Sequence, residues 1–189
     1  MAEPTNTPNA TARAVFLDRD GTLNRGFMRD GKPIPPKTLD QFEILPGVVE
    51  ATRVLKEAGF LLIVATNQPD VVRGTQTRET IEAMHRVLAA SLPLDGIMVC
   101  YEDDGPLCTR YKPKPGMLLD AARIWGIDLA QSYMVGDRWR DVDCAKNAGC
   151  FSVFIDCGYD EALRSPPDAV CGSVAEAAEI ILQRLSSGL

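Results

Sequence analysis

The sequence has 189 residues, enough for one domain of ordinary size with its own core. Hydrophobic residues make up 46% and charged residues 24%, which excludes a wholly disordered chain. The net charge of −6 disfavours nucleic-acid binding, which needs a basic face. A small anionic substrate is still compatible with it, because a few cationic side chains and a metal ion can reverse the charge locally.

The N-terminal residues, the apolar segments and the cysteines indicate the cellular location of the protein. Residues 1–12 are polar and lack the basic start and apolar stretch of a secretory signal, so we expect a flexible tail there. The longest apolar run, residues 60–65, is far short of the roughly 18 residues that span a bilayer. None of the six cysteines forms a Cys-x-x-Cys pair, which is typical of reduced thiols. We therefore expect a cytoplasmic monomer that binds neither membranes nor nucleic acid.

Short apolar segments alternate with helical patterns along the rest of the chain. Predicted strands span residues 14–17, 60–65, 96–100, 132–135 and 151–155, and predicted helices span residues 47–58, 78–92, 116–125, 141–148 and 174–185. Nearly continuous apolar strands suit a mostly parallel sheet with helices on both faces. The alternation predicts a doubly wound α/β fold, and without a repeat or a second core we expect residues 13–189 to form one domain.

The segment of residues 25–42 is rich in glycine, proline and charge. It is too short for an independent cap domain, so we expect a loop that closes over a site.

Polar residues follow the predicted strands where a site is expected. Asp18 and Asp20 come directly after the first strand, Thr66 follows the second, and Asp137 follows the fourth. Ligands of an open α/β sheet bind at the carboxyl ends of the strands, so these side chains should converge. Taken singly, each motif is equally typical of a turn or a helix cap; their order at successive strand ends indicates a site.

The chemistry of this set is that of phosphoryl transfer. Three carboxylates, Asp18, Asp20 and Asp137, repel one another unless a hard cation such as Mg²⁺ lies between them. Carboxylates form covalent phosphoryl intermediates, so we interpret Asp18 as the nucleophile. Asp20 would protonate the leaving alkoxide and then deprotonate the attacking water. A lysine from the stretch 112–116 would neutralise the phosphate, and spacing leaves both Lys112 and Lys114 possible.

Together these motifs resemble the haloacid dehalogenase superfamily. Residues 16–24, 65–68, 112–119 and 132–137 further resemble the D-glycero-D-manno-heptose 1,7-bisphosphate 7-phosphatases and the related histidinol-phosphate phosphatases, over roughly residues 14–160. The resemblance implies a Rossmann-like fold with a minimal cap and a Mg²⁺-dependent phosphatase that acts through an aspartyl phosphate. The substrate implied is a heptose bisphosphate or monophosphate, with histidinol phosphate or another small phosphomonoester as the alternative.

The resemblance also implies roles for individual residues. Mg²⁺ would be held by Asp18, the backbone carbonyl of Asp20, and Asp137. Lys112, rather than Lys114, would contact phosphate. Thr66, Asn67, Gln68 and Arg25 complete the candidate set around the phosphate and substrate.

Two departures from the family pattern concern residues 100–111. Many relatives carry a zinc loop there; this chain has Cys100, Glu102, Cys108 and Arg110 at the four ligand positions, and arginine cannot bind a cation. We therefore expect no zinc. Tyr111 stands where the family has an arginine that grips the far phosphate, and a tyrosine brings no charge. We expect altered substrate recognition, in which Tyr111 and a partly compensating Arg110 are candidate substrate-binding residues.

Two other classes of protein use similar residues. A phosphoacceptor signalling domain carries its acceptor aspartate and its metal-binding acidic pair on different strands, whereas Asp18 and Asp20 share one loop here. A catalytically idle relative would be expected to lack part of the set. The sole histidine, His85, lies in a predicted helix and is interpreted as a packing residue, while Trp139 is close enough to Asp137 to border the site.

Overall fold

The computed structural model describes residues 12–29 and 31–188. The strands are β1 Ala14–Leu17, β2 Phe27–Arg29, β3 Lys32–Ile34, β4 Leu61–Asn67, β5 Gly96–Cys100, β6 Tyr133–Gly136, β7 Phe151–Ile155 and β8 Ala169–Cys171. Six of them form a parallel sheet in the order β5–β4–β1–β6–β7–β8, and β2 and β3 form a separate antiparallel pair. The chain winds outward from β1 in both directions, which confirms the predicted doubly wound α/β fold.

In the described part of the chain, five helices cover the sheet: α1 Val48–Glu57, α2 Arg78–Ser91, α3 Gly116–Trp125, α4 Trp139–Ala148 and α5 Val174–Ser186. Helices α1 and α5 pack in one core cluster and α3 and α4 in the other. Strand β1 shows why both faces are covered. Val15 and Leu17 belong to the first cluster and Ala14 and Phe16 to the second, because successive side chains of a strand point to opposite faces.

Local sequence explains where the helices begin and end. The Thr77 hydroxyl accepts a hydrogen bond from the Thr80 N–H at 3.2 Å, capping α2, and α3 ends at Gly126 in the left-handed conformation. Helix α4 begins two residues before its predicted start. The Arg138 N–H donates to the Asp141 carboxylate at 3.0 Å, so the first turn is capped by its own acidic residue.

Two features differ from the sequence prediction. The segment of residues 25–42 is not an irregular loop, because it contains the β2–β3 hairpin and a short 3₁₀ turn, Leu39–Gln41. Strand β8 was missed because it has only three residues and gains its order by pairing with β7. The predicted tail of residues 1–12 lies outside the described residues except for Ala12, whose carbonyl accepts from the Asp128 N–H at 2.8 Å.

None of the helices in the described part of the chain combines the length and apolar character needed to cross a bilayer.

Candidate active site

The site lies at the carboxyl ends of the three central strands. Strands β4, β1 and β6 are neighbours in the sheet, so Thr66, Asp18 and Asp137 meet at one edge. A cavity of about 210 Å³ opens there. Among the residues predicted from the sequence, those that line this cavity are Asp18, Asp20, Thr66, Asn67, Gln68, Tyr111 and Lys112.

Three buried carboxylates form the floor of the site. Asp18, Asp137 and Asp141 offer oxygen atoms that all lie within 4.8 Å of one another. One Asp137 oxygen accepts from the Thr22 hydroxyl at 3.2 Å; the other is buried without a well-aligned hydrogen bond among the described residues, and the nearby Tyr159 hydroxyl acts to lower the pKa of Asp137. Burial, and then the Asp18 and Asp141 charges, raises the pKa of Asp137 well above its usual range. A buried oxygen without a well-aligned hydrogen bond, beside two further carboxylates, fits a small divalent cation.

Two glycines permit this close packing. Gly21 has φ +90°, and a Cβ there would lie 2.1 Å from an Asp137 carboxylate oxygen. A Cβ at Gly136 would lie 2.3 Å from the Asp141 carboxyl carbon. Since real Cβ atoms do not approach other atoms this closely, any larger residue would push the carboxylates apart.

Lys112 balances part of the negative charge. Its Nζ lies 2.7 Å from Asp18 Oδ1 and 2.6 Å from Asp141 Oδ1. Burial alone would lower the pKa of the Lys112 amine, but the Asp141 and Asp18 carboxylates outweigh it and raise that pKa, so the amine is charged. Burial raises the pKa of Asp18 to about 6, against the opposing effect of Lys112.

Asn67 holds the main chain that carries Lys112. Its side-chain oxygen accepts from the Lys112 N–H at 3.0 Å, and its NH₂ group donates to the Lys112 carbonyl at 3.1 Å. The other lysine that spacing left possible, Lys114, pairs instead with Asp104 at 3.0 Å. The fold therefore brings Lys112, and not Lys114, to Asp18.

Asp20 lines the same cavity but is not part of the carboxylate cluster, and three side-chain donors hold it. Arg19 Nη2 lies 2.7 Å from its Oδ2, and Gln68 Nε2 and Asn24 Nδ2 donate at 2.8 and 3.1 Å. Burial alone would raise the pKa of Asp20, but the Arg19 charge and these hydrogen bonds outweigh it and lower that pKa. The Gln68 amide also donates to the Thr66 hydroxyl at 2.9 Å, so Thr66 and Asp20 are linked.

Several residues of the site were missed by the sequence analysis. Asp141 joins the carboxylate cluster, and the sequence analysis missed it because it placed Asp141 at the start of a helix rather than at a strand end. Arg19 is completely buried and its Nη1 lies 3.1 Å from Nε2 of His85, so the packing interpretation of His85 omitted a polar contact. A single arginine between two aspartates carries no sequence signal for such a contact.

Three predicted residues do not line the cavity: Asp137, which belongs to the carboxylate cluster, and Arg25 and Arg110, which belong to neither. Arg25 is exposed and pairs with Glu43 at 2.8 Å. Arg110 faces α3, where its Nε lies 3.6 Å from Asp120. Their roles in substrate binding stay predictions without a contact at the cavity to support them.

The loop of residues 100–114, called here the cysteine loop, carries the altered zinc positions. The Cys100 and Cys108 Sγ atoms lie 3.7 Å apart in a buried pair. Glu102 is exposed, and its carbonyl rather than its carboxylate faces the Cys100 thiol at 3.8 Å. The pairing of Arg73 with Asp103 at 2.8 Å also anchors the loop, so packing and charge order it. The expected lack of zinc stays a prediction.

Three arginines line the same cavity as Asp18: Arg73 from the segment after β4, and Arg138 and Arg140 from the start of α4. Because α4 begins here, its free N–H groups add partial positive charge near the carboxylate cluster. A chain with a net charge of −6 thus places three arginines on the wall of this cavity, which balance the charge of its lining carboxylates and can approach an anionic substrate.

Comparison with known proteins identifies the same family that the sequence motifs indicated. The sequence model of the haloacid dehalogenase-like hydrolases matches residues 36–149. The D-glycero-D-manno-heptose-1,7-bisphosphate 7-phosphatase of Thermosynechococcus vestitus is 33% identical over 92% of this chain and 97% of its own length. The corresponding Escherichia coli K12 enzyme, named D-glycero-beta-D-manno-heptose-1,7-bisphosphate 7-phosphatase, is 40% identical over 70% of this chain and 72% of its own.

A solved structure is similar over nearly the whole chain. The D,D-heptose 1,7-bisphosphate phosphatase of B. bronchiseptica, complexed with magnesium and phosphate, has a TM-score of 0.75 and 32% identity. The match covers 91% of this chain and 99% of that protein. Together with the fold and the carboxylate cluster, these similarities show that the chain belongs to the haloacid dehalogenase-like hydrolase family.

Proposed function

We propose that this chain, a phosphatase of the haloacid dehalogenase-like hydrolase family, uses Mg²⁺ to hydrolyse a phosphate ester of a sugar through a phosphoryl group on Asp18. The observation that supports this most directly is the position of Asp18. Its carboxylate lies within a cluster of three acids, 2.7 Å from the Lys112 ammonium, at the base of an open cavity. A nucleophile for phosphorus needs this combination of access and charge neutralisation.

The reaction proceeds in two displacements. An Asp18 oxygen attacks phosphorus, the P–O bond to the sugar breaks, and the leaving alkoxide takes a proton from Asp20. Water then attacks the same phosphorus while Asp20 accepts its proton, which releases phosphate and restores the Asp18 carboxylate. The lowered pKa of Asp20 suits the second step, since Arg19, Gln68 and Asn24 stabilise its carboxylate. For the first step Asp20 must gain a proton, which a phosphate monoanion can bring with it.

The residues around the reacting carboxylate would position the phosphate. Lys112 donates to a phosphoryl oxygen, and Thr66, whose hydroxyl lines the cavity, is a second donor. The Asn67 amide is engaged at both ends with the Lys112 main chain, so its first contribution is to hold Lys112 in place.

A magnesium ion fits the carboxylate cluster. Asp18, Asp137 and Asp141 would hold it, with the Asp20 carbonyl as the further ligand that the family resemblance implies. When bound, it supplies positive charge against the phosphoryl oxygens. Asp141 is added to the ligands predicted from the sequence, because the first turn of α4 brings its carboxylate next to Asp18 and Asp137.

The relatives favour a phosphorylated sugar over the alternative. Heptose bisphosphate is the substrate in the names of the relatives, and the three arginines of the cavity wall suit such an anion. We therefore prefer the sugar phosphate.

Phosphate release in the presence of Mg²⁺ tests the proposal. The panel would contain D-glycero-D-manno-heptose 1,7-bisphosphate, the 7-phosphate, histidinol phosphate and p-nitrophenyl phosphate, scored by kcat/KM. We expect continuous turnover with a heptose phosphate as the best substrate, and no turnover by Asp18→Asn. A single stoichiometric burst would favour a phosphoacceptor domain, and the highest kcat/KM on histidinol phosphate would refute the substrate assignment.

We further propose a cytoplasmic location, which the six unpaired cysteines support because reduced thiols persist there. Cell fractionation tests it. The monomeric state stays a prediction for analytical ultracentrifugation.

A further inference from the structure

We propose that Arg140 binds a second, distal anionic group of the substrate, so that this enzyme prefers a sugar bisphosphate to the matching monophosphate. The inference rests on the proposed function and extends it to the group that selects the substrate. It concerns a side chain at the start of α4, outside the cysteine loop and outside the set of residues predicted from the sequence.

Among the three arginines of the cavity wall, Arg140 has the weakest carboxylate pairing. Both Arg73 Nε and Nη2 bind Asp103, at 2.8 and 2.5 Å. Both Arg138 Nε and Nη2 bind the two oxygens of Glu161. Glu161 is also the carboxylate that approaches Arg140, but only to 4.0 Å.

The Arg140 guanidinium therefore keeps donors for a ligand. Its Nε has no hydrogen-bond partner among the described residues, although it is buried. The adjacent NH₂ groups, of which Nη1 lies 4.0 Å from Glu161 and thus beyond hydrogen-bond distance, can donate to an incoming anion as a charge-assisted pair. The side chain is 31% exposed, so the rest of the guanidinium can be reached from the cavity.

Aromatic rings hold this guanidinium in place. Its central carbon lies 4.5 Å from the Trp139 ring centre and 6.0 Å from that of Tyr111, which also lines the cavity. Stacking restricts the guanidinium while leaving its edge for an oxyanion. The next residue, Asp141, contacts Lys112 at 2.6 Å, so the backbone fixes Arg140 relative to the reacting centre.

Other groups cannot supply this charge. The Lys112 ammonium lies between Asp18 and Asp141, at the position of the phosphate that is hydrolysed. Tyr111 has no charge to offer a distant anion. Arg140 is thus the cation left to bind a phosphate, or another oxyanion, at the far end of a sugar.

The test compares kcat/KM for D-glycero-D-manno-heptose 1,7-bisphosphate with kcat/KM for the 7-phosphate. For the unchanged protein we expect a ratio of at least about 10, as a charge-assisted pair implies. Arg140→Gln should lower this ratio at least about tenfold, and Arg140→Lys should restore part of it. The control is Arg164→Gln, because Arg164 is exposed and stacks on the same Trp139 ring at 3.4 Å without lining the cavity. It should leave the ratio within about twofold.

Three outcomes would overturn the proposal: a ratio near one in the unchanged protein, an equal loss on both substrates in Arg140→Gln, or an equal change of the ratio in Arg164→Gln. Calorimetry on the Asp18→Asn variant measures substrate binding without turnover, so it tests the role of Arg140 independently of the proposed catalytic activity. In that variant, Arg140→Gln should weaken binding of the bisphosphate at least about tenfold more than binding of the 7-phosphate. Equal weakening of both refutes the role of Arg140, whether or not the chain hydrolyses these esters.

Discussion

The only histidine of this protein offers a sharp test of the buried network beside the site. His85 is buried in α2, and its Nε2 lies 3.1 Å from Nη1 of Arg19. Because the guanidinium can only donate, Nε2 must accept, which requires a neutral ring protonated at Nδ1. On the other side of the ring, Glu82 lies 3.7 Å from Nδ1.

The pKa of the ring follows from these neighbours. Burial, and then the Arg19 charge, lowers the pKa of His85 from 6.5 to about 4, although Glu82 and Asp20 act in the opposite direction. The unfolded chain binds a proton near pH 6.5, whereas the folded chain binds it only near pH 4. Stability is therefore complete above pH 6.5 and is lost as the pH falls from 6.5 toward 4. Each pH unit in this window is worth about 1.4 kcal/mol, so the total is about 3 kcal/mol.

Two measurements check this expectation. NMR of the single imidazole should show a ring that stays neutral at pH 5.5. Urea unfolding of the unchanged protein should lose about 2 kcal/mol more between pH 7 and pH 5 than His85→Gln loses, because Gln can accept from Arg19 but does not titrate. Carboxylates other than Glu82, which contacts the ring, contribute equally to both proteins, so the difference reports the histidine together with Glu82. A ring that titrates near pH 6.5, or equal pH dependence in the two proteins, would refute the reasoning.

Other expectations concern the carboxylate cluster and the cysteine loop. Asp18→Asn should lower kcat on the order of 10⁴-fold or more with an unchanged near-ultraviolet circular dichroism spectrum; near-normal turnover would contradict the assignment of the nucleophile. Lys112→Ala leaves two buried carboxylates without their cation. It should lower the free energy of unfolding in urea by about 3–5 kcal/mol without Mg²⁺ and by less with Mg²⁺. A loss under about 1 kcal/mol in metal-free buffer would mean that the ion pairs of Lys112 contribute little to stability. Asp141→Asn should weaken Mg²⁺ binding at least about tenfold by calorimetry, whereas Asp120→Asn on the surface of α3 should not, and equal Kd values would remove Asp141 from the ligand set. Metal analysis of the purified protein should find far less than one zinc per chain, and one equivalent bound at the cysteine loop would show our expectation to be wrong.

The pattern of the strands was predictable because it depends on burial alone. Runs of four to six apolar residues that are too short for a helix are typical of strands covered on both faces, and the predicted segments at residues 14–17, 96–100 and 151–155 agree with β1, β5 and β7 in the structure. The β2–β3 hairpin and β8 have three residues in each strand and no comparable apolar signal. Their order comes from pairing with neighbours, which periodicity does not contain.

Some residues of the candidate site could likewise be located from the sequence, and others only from the structure. Asp18, Thr66 and Asp137 could be located from the sequence because each follows an apolar strand, and parallel strands end at one edge of the sheet. Asp141 could be located only once the start of α4 was known. The helix begins at Trp139, two residues earlier than predicted, because the Asp141 carboxylate caps its first turn. Helix ends are set by single hydrogen bonds, and sequence patterns locate them only within a few residues.

The sequence by itself thus determined the fold class and the order of the strand-end residues, because hydrophobic burial and the direction of parallel strands leave few alternatives; the role of Asp18 as the nucleophile stays a prediction. Only the tertiary structure decided which cationic side chain pairs with which carboxylate. Lys112 rather than Lys114 reaches Asp18, Arg19 is paired with Asp20 and His85, and Arg140 keeps donors available. These choices depend on side-chain distances of a few ångström between residues far apart in the chain, and no local pattern encodes such distances.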